Sequence, residues 1–173
     1  MATMETKRLS LREFCLDDAG AVLSLLNDPA FITTIGDRGI RDLHQAQTDL
    51  LTGPIKSYRE NDFGLYAIQR HGEEAVIGMC GLIKRDALSG IDLGYALLPV
   101  ARRQGYAREA AERVIEQARE ALQLETLLAI VSPTNTPSIR LLEALDFHYQ
   151  RRIRLSQDED PISLYALTFK STD

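Results

Sequence analysis

Residues 91–122 constrain the fold of this 173-residue chain more than any other stretch. An apolar run over 91–98 leads to Arg102, Gly105 and Ala107 in the spacing Arg-x-x-Gly-x-Ala, and apolar residues then recur at helical spacing. The pattern predicts a strand joined by a short loop to an amphipathic helix. A helix start presents unpaired backbone N–H groups and a partial positive charge, and small residues let a phosphate approach the backbone. We therefore interpret the loop as a pyrophosphate site.

Three arginines of the loop, Arg102, Arg103 and Arg108, would add charge-assisted donors beside the helix start. The alternative is an ordinary surface helix with a basic first turn. Cations at a helix N-terminus oppose the helix dipole, however, and destabilise the helix slightly unless an anion is present. The glycine-rich patterns of P-loop and dinucleotide-binding proteins are absent from the sequence. Phosphate binding outside those two classes is the interpretation that the loop favours.

Composition limits the classes of partner. The chain has 20 Lys and Arg against 25 Asp and Glu, a net charge of −5, so we expect no nucleic-acid or membrane partner. No apolar run approaches the ~20 residues that span a bilayer, and the N-terminal segment lacks a signal-peptide pattern, which predicts a cytoplasmic protein. Cys15 and Cys80 are expected to be buried and reduced, and the three histidines lack metal-ligand spacing.

Hydrophobic periodicity predicts one mixed α/β domain over residues 1–173. The strand patterns cover 8–12, 65–70, 76–85, 91–98, 127–131, 147–155 and 162–169. The helical patterns cover 19–26, 43–52, 105–122 and a last segment with Thr136 as N-cap and Pro137 as its first residue. The consecutive strands over 65–98 predict an antiparallel meander, and the apolar run 127–131 predicts a central parallel strand after a right-handed crossover. One pair of strands must then part where a strand changes neighbour.

In their order and spacing, the strand over 91–99, the Arg-x-x-Gly-x-Ala loop, and residues 131–138 and 141–147 resemble the acetyl-CoA core of the GNAT N-acetyltransferase superfamily. The opening residues 8–12 and the run 27–29 resemble its RimJ/RimL-like branch, which includes enzymes that acetylate protein N-termini. The match covers the chain from about residue 7 to about residue 170. The resemblance implies a GNAT-like fold with a central mixed sheet flanked by helices, acetyl-CoA as co-substrate, an amine acceptor, and no metal.

The resemblance also implies which residues contact acetyl-CoA. They lie on the strand, on the loop with the helix start, and before the last helix: Tyr95, Ala96, Leu97, Arg102, Arg103, Gln104, Gly105, Tyr106, Ala107, Arg108, Asn135 and Ser138. In the family a bulge in the strand aims a backbone N–H at the thioester carbonyl, and the match places it near 95–97. Gly94 would permit such a bulge. A strand fully paired within the sheet is the alternative.

Two residues are candidates for catalysis. The position of Ser138 implies a hydroxyl that protonates the coenzyme A thiolate. Alternatively, Asn135 and Ser138 satisfy the exposed N–H groups of the helix that opens at Pro137, a role compatible with the first. Asp92 is the first candidate for a general base acting through water, and the alternative is a solvated strand residue. An α-amine, with a pKa of ~8, needs much less help from a base than a Lys amine at ~10.4.

The acceptor is the least determined part of the function. Residues 31–39 lie where the family closes one wall of the acceptor cleft, and a loop packed by its own apolar residues is an equal alternative. The acidic run 158–160 hints at a cationic acceptor but is also typical of a solvated turn. We expect an N-acetyltransferase that acts by direct attack on a protein N-terminus or a small-molecule amine, as a monomer or a homodimer. A non-catalytic acyl-CoA-binding regulatory module is the alternative function.

Overall fold

The computed structural model describes residues 3–170 and places eight strands in a single mixed sheet, in the order β1-β2-β3-β4-β5-β6-β8-β7. The strands are β1 (Met4–Glu5), β2 (Leu9–Glu13), β3 (Leu65–Arg70), β4 (Val76–Lys84), β5 (Ile91–Leu97), β6 (Thr126–Val131), β7 (His148–Ile153) and β8 (Ile162–Thr168). The helices are α1 (Ala19–Leu26), α2 (Pro29–Thr34), α3 (Leu43–Thr52), α4 (Pro54–Asn61), α5 (Tyr106–Glu116), which continues into a π-helical turn (Gln117–Ala121), and α6 (Thr136–Ala144). The predicted fold class is confirmed.

The direction of the strands changes once in the middle of the sheet. Strands β1 to β5 are antiparallel neighbours, as predicted for the meander, and β6, β8 and β7 are antiparallel to one another. Between these two groups, β5 and β6 are parallel and pair at a single position, Asp92 with Leu128. Strand β6 therefore has the predicted parallel neighbour on one side only. Beyond Asp92 the two strands part, which confirms the predicted change of neighbour.

The core lies on both faces of the sheet. Because side chains alternate along a strand, Leu93 and Ala96 of β5 point to opposite faces. Leu93 belongs to a buried cluster with α5 and α6, in which Val114 is fully buried, whereas Ala96 packs against a second cluster that includes Leu50 of α3 and residues of α1. Small residues on the inner side of α5 let that helix lie close to the sheet. The sheet thus separates α5 and α6 from α1 and α3.

Two short helices and one cysteine differ from the sequence predictions. Helix α2 occupies part of the segment interpreted as a loop, because Pro29 stands in its first turn and the buried Asp28 accepts the N–H of Phe31 at 3.2 Å. Helix α4 was missed because it buries no residue and so carries no clear apolar pattern. Cys15 is exposed, not buried as expected, whereas Cys80 is buried. No helix within residues 3–170 is long and apolar enough to cross a membrane.

Candidate active site

The parting of β5 from β6 leaves one edge of β5 without a strand partner. The N–H of Leu98 donates to the carbonyl of Ile77 in β4, at 2.8 Å. Backbone groups alternate between the two edges of a strand, so the peptide groups of Tyr95 and Leu97 point the other way, into the opening toward β6. We call this opening the β5–β6 gap, bounded by β5 beyond Asp92 and β6 beyond Leu128. A free strand edge can bind an extended chain that carries amides.

The bulge predicted in β5 is wrong. Pairing with β4 is regular from Ile91, opposite Lys84, to Leu97, opposite Gly78, without a shift of register. Gly94 instead lets the Ile83 side chain of β4 pack closely against β5, because a Cβ at Gly94 would lie 2.8 Å from Cδ1 of Ile83. The strand is thus paired on one edge and open on the other. Its exposed amides result from the divergence of β6.

The start of α5 forms a cluster of free backbone donors. Gly105 is the N-cap residue, with a φ of 81° that favours glycine, and no side chain caps the helix. Over the part of the chain that the structure describes, the backbone N–H groups of residues 103–108 donate to no protein acceptor. We call residues 103–108 the phosphate loop. Unpaired donors at a positive helix end fit a pyrophosphate.

The three arginines around this loop have different surroundings. Arg102 forms an ion pair with the buried carboxylate of Asp28, so it joins the start of α5 to the N-cap of α2. Arg108 pairs with Glu112 one turn along the helix, at 3.0 Å and in an exposed position. Arg103 is exposed and pairs with no acidic residue among residues 3–170. Of the three, Arg103 and Arg108 are the ones whose charge faces solvent.

A fourth arginine, not expected from the sequence, supports the loop from the residue just before β2. Arg8 donates through Nη1 to the carbonyl of Gln104 at 2.9 Å and through Nε to Glu109 at 2.8 Å. Its guanidinium lies 4.5 Å from the centre of the Tyr106 ring. The Tyr106 side chain is buried and its hydroxyl accepts a bond from Arg70. Tyr106 can therefore offer a cofactor only its backbone N–H.

Two hydroxyls meet at the β5–β6 gap. The Tyr95 hydroxyl lies 2.6 Å from the Ser138 hydroxyl in the first turn of α6. Asn135, not Thr136 as predicted, is the N-cap residue, and its side chain accepts the N–H of Ser138 at 3.3 Å. Burial raises the pKa of Tyr95 to about 12, against the opposing effect of its hydrogen bond to Ser138. Tyr95 is thus neutral and able to donate a hydrogen bond across the physiological pH range.

Asp92 lies at the closed end of the gap and is fully buried, so the alternative of a solvated strand residue is wrong. Its Oδ1 accepts a bond from Nε of Arg85 at 3.0 Å, and its Oδ2 has no hydrogen-bond partner within the described structure. Burial raises the pKa of this carboxyl although Arg85 acts in the opposite direction. Because Asp92 alternates with Leu93, it lies on the α1 and α3 face, opposite the Tyr95 hydroxyl.

The two segments predicted to face the acceptor are largely exposed. Within 31–39, Phe31 is buried against α1 and α3, and most of the other residues are at least partly exposed. The acidic residues Asp158, Glu159 and Asp160 are exposed in the connection between β7 and β8. Among residues 3–170, no cluster of three or more His, Cys, Asp or Glu side chains is arranged to hold a metal ion.

Known proteins share both the sequence pattern and the fold. The family model for the acetyltransferase (GNAT) domain matches residues 8–148. The N-acetyltransferase p20 of Bacillus licheniformis is 31% identical over 155 residues, which cover 89% of this chain and 86% of that protein. The structure of the acetyltransferase from Agrobacterium tumefaciens is similar with a TM-score of 0.83 at 24% identity, over 98% of this chain and 95% of that one.

A RimL ribosomal alpha-N-protein acetyltransferase, solved in complex with coenzyme A, has the same fold with a TM-score of 0.82 at 13% identity, over 96% of this chain and 98% of that one. The fold, the free donors at the start of α5 and the open edge of β5 agree with the family match. This chain therefore belongs to the GNAT acetyltransferase family and is an acetyl-CoA-dependent acyltransferase.

Proposed function

We propose that the enzyme acetylates the α-amine of peptide or protein N-termini, by direct attack of the amine on acetyl-CoA in a ternary complex. The observation that carries this proposal is the state of the ionisable groups at the β5–β6 gap. Asp92 is fully buried and bonded to Arg85, and Tyr95 has a pKa of about 12. Neither is an exposed base, so an acceptor that is partly neutral near pH 7 is favoured. An α-amine, with a pKa of ~8, meets that condition, and a Lys amine, with a pKa of ~10.4, does not.

The free donors suit different parts of acetyl-CoA. The N–H groups of the phosphate loop would bind the pyrophosphate, with Arg103 and Arg108 as the nearby cations. The pantetheine amides would pair with the open edge of β5, where the peptide groups of Tyr95 and Leu97 point into the gap. Ala96 has its peptide groups on the other edge, so a contact from Ala96 would come through its side chain. A backbone N–H of the open edge would then stabilise the thioester oxyanion.

The side chains at the gap divide the proton transfers between them. As the amine nitrogen bonds to the carbonyl carbon, the C–S bond breaks and its electron pair remains on sulfur. Ser138 would donate a proton to that sulfur. Asp92 is buried and therefore a poor base, but its Oδ2 has no partner in the described structure and would accept, through water, the proton lost from an amine that attacks in its neutral form. Similarity to an alpha-N-protein acetyltransferase supports the same class of acceptor.

The test compares three acceptors in a thiol-release assay with acetyl-CoA. The first is a short peptide with a free N-terminus and no Lys, the second is the same peptide with an acetylated N-terminus and one Lys, and the third is spermidine. We expect turnover of the first alone at pH 7, with a rate that rises toward a plateau above pH ~8 as the α-amine becomes neutral.

Two results would contradict this proposal. Preference for spermidine or for the Lys peptide would exclude an α-amine as the main acceptor. Binding of acetyl-CoA without thiol release on any of the three would favour an acyl-CoA-binding module. Mass spectrometry of the first peptide locates the acetyl group on its N-terminus.

A further inference from the structure

The hydroxyls of Tyr95 and Ser138 are brought together from positions 43 residues apart in the chain. Tyr95 lies on β5 and Ser138 in the first turn of α6, so their contact spans the β5–β6 gap. The separation of 2.6 Å is at the short end of the range for a hydrogen bond between hydroxyls. The backbone of Tyr95 is on the open edge of the strand, and α6 is held at its start by the Asn135 cap.

The surroundings of the pair decide which hydroxyl donates. Within the described structure, the Ser138 hydroxyl bonds only to Tyr95, and the other acceptor near the Tyr95 hydroxyl is the Ser138 carbonyl, at 3.4 Å. If Ser138 donated to Tyr95, the phenol hydrogen would keep only that long contact, whereas if Tyr95 donates, the Ser138 hydrogen is free for a bound ligand. A phenol is also the better donor, because even the pKa of about 12 that burial gives Tyr95 is below that of an aliphatic alcohol. Tyr95 therefore donates and Ser138 accepts.

This direction determines where the Ser138 hydrogen points. Since the Ser138 oxygen already accepts from Tyr95, its own hydrogen is directed away from the phenol and remains available to a third group. We propose that Tyr95 is a positioning residue that orients the Ser138 hydroxyl toward the sulfur of the departing coenzyme A. The inference rests on the proposed function, in which Ser138 is the proton donor.

The proton balance closes without an added reactant. The C–S electron pair stays on sulfur, which takes the Ser138 proton, and the Ser138 oxygen takes the Tyr95 proton along the bond between them. The proton released by the acceptor nitrogen passes through water to Asp92 and from there to solvent, and solvent returns a proton to Tyr95. Because the phenol is neutral before and after turnover, the products are the amide and the free thiol.

The test is a double-mutant cycle with Tyr95→Phe, Ser138→Ala and the combined variant. The cycle uses any amine that the enzyme turns over, so an error in the proposed acceptor does not affect it. We expect Ser138→Ala to lower kcat about 100-fold and Tyr95→Phe to lower it about three- to tenfold, the value of one hydrogen bond. The combined variant should be no slower than Ser138→Ala, because Tyr95 acts through Ser138. The Kd of acetyl-CoA, measured by calorimetry, should change less than about twofold in all three variants.

Tyr66→Phe is the matched control, since Tyr66 is buried and its hydroxyl bonds to Gln117, away from the gap. This control should keep wild-type kcat. Wild-type kcat in Tyr95→Phe would overturn the inference. So would a combined variant that is slower than Ser138→Ala by the full Tyr95→Phe factor, because the two residues would then act independently. A wild-type rate in Ser138→Ala would remove the proton-donor role and, with it, the inference.

Discussion

The phosphate loop and the β5–β6 gap provide polar groups in opposite ways. The loop offers backbone N–H groups from six consecutive residues at an open helix start, and Arg103 beside it is exposed. The gap offers side chains from distant segments, with Asp92 fully buried and the Tyr95 hydroxyl bonded to Ser138. Phosphate binding needs only local backbone geometry and a glycine. Proton transfer needs groups whose pKa and orientation are set by burial, and burial requires packing between distant parts of the chain.

The largest effect on the affinity for acetyl-CoA is expected from Gly105→Val, which disrupts the loop. A β-branched residue is strained at a φ of 81°, and its Cβ would lie 3.3 Å from Nη2 of Arg8. The backbone must shift, and the N–H groups with it, so we expect the Kd of acetyl-CoA to rise more than about tenfold, or more than ~1.4 kcal/mol. Calorimetry on the folded variant measures this change.

Gly72→Val is the matched control for strain alone. Gly72 has a φ of 79°, no atom lies within 4 Å of its Cβ position, and it lies in the turn between β3 and β4. This variant should lose stability but keep the affinity for acetyl-CoA. Equal loss of affinity in the two variants, or no loss in Gly105→Val, would show that the loop does not bind the phosphates.

An intermediate effect is expected at the closed end of the gap, where Asp92 lies. Asp92→Asn should lower kcat about tenfold at pH 7, where only about one-tenth of an α-amine is neutral, and much less at pH 9. The pH profiles of kcat for wild type and for Asp92→Asn measure how closely the two rates approach each other at high pH. Asp86→Asn, an exposed carboxyl close to Arg85, is the control and should leave the profile unchanged. A loss that is constant from pH 7 to 9 would show that Asp92 is not the base.

The stability of the same variant tests the burial of Asp92. The folded-state pKa of this carboxyl is raised above 3.8, so its contribution to stability is complete below that value and is lost as pH rises through the folded pKa. Asn does not titrate. The free energy of unfolding of the variant, relative to wild type, should therefore increase as pH rises from about 4 toward 7. Urea titrations at several pH values measure the difference, and a pH-independent difference would contradict it.

The smallest effect is expected at the acidic turn, because its charges are exposed whereas Asp92 is buried. Replacing Asp158, Glu159 and Asp160 by their amides should raise KM for a cationic acceptor about threefold at low salt, because exposed pairs contribute only ~0.2–1 kcal/mol. The difference should disappear above about 0.15 M salt, where the Debye length falls below ~8 Å. A KM unaffected by both the substitution and the salt would assign the turn to solvated surface.

Elements with a clear apolar period were predicted well, and elements without one were missed. The alternation in β2 and the helical spacing in α1, α3, α5 and α6 follow the burial found in the structure. Helix α4 has no fully buried residue and adds only half-buried side chains to the core, and α2 depends on a cap by Asp28 and on Pro29. A proline can stand just after one helix or in the first turn of another, and Pro29 does both, because it follows α1 closely and begins α2. A proline alone does not distinguish these two roles.

The sequence by itself determined the open helix start at residues 103–108, because six adjacent residues with one glycine are sufficient for that geometry. The tertiary structure alone decided the partners of the other charged and polar groups. In the folded protein Arg102 forms an ion pair with Asp28, and Arg85 forms one with the buried Asp92. The hydroxyls of Tyr95 and Ser138 form a hydrogen bond. The tertiary structure also replaced the expected bulge in β5 by an open strand edge, because β6 diverges after one paired position. Contacts of this kind depend on how distant segments pack, and neither periodicity nor spacing along the chain records that packing.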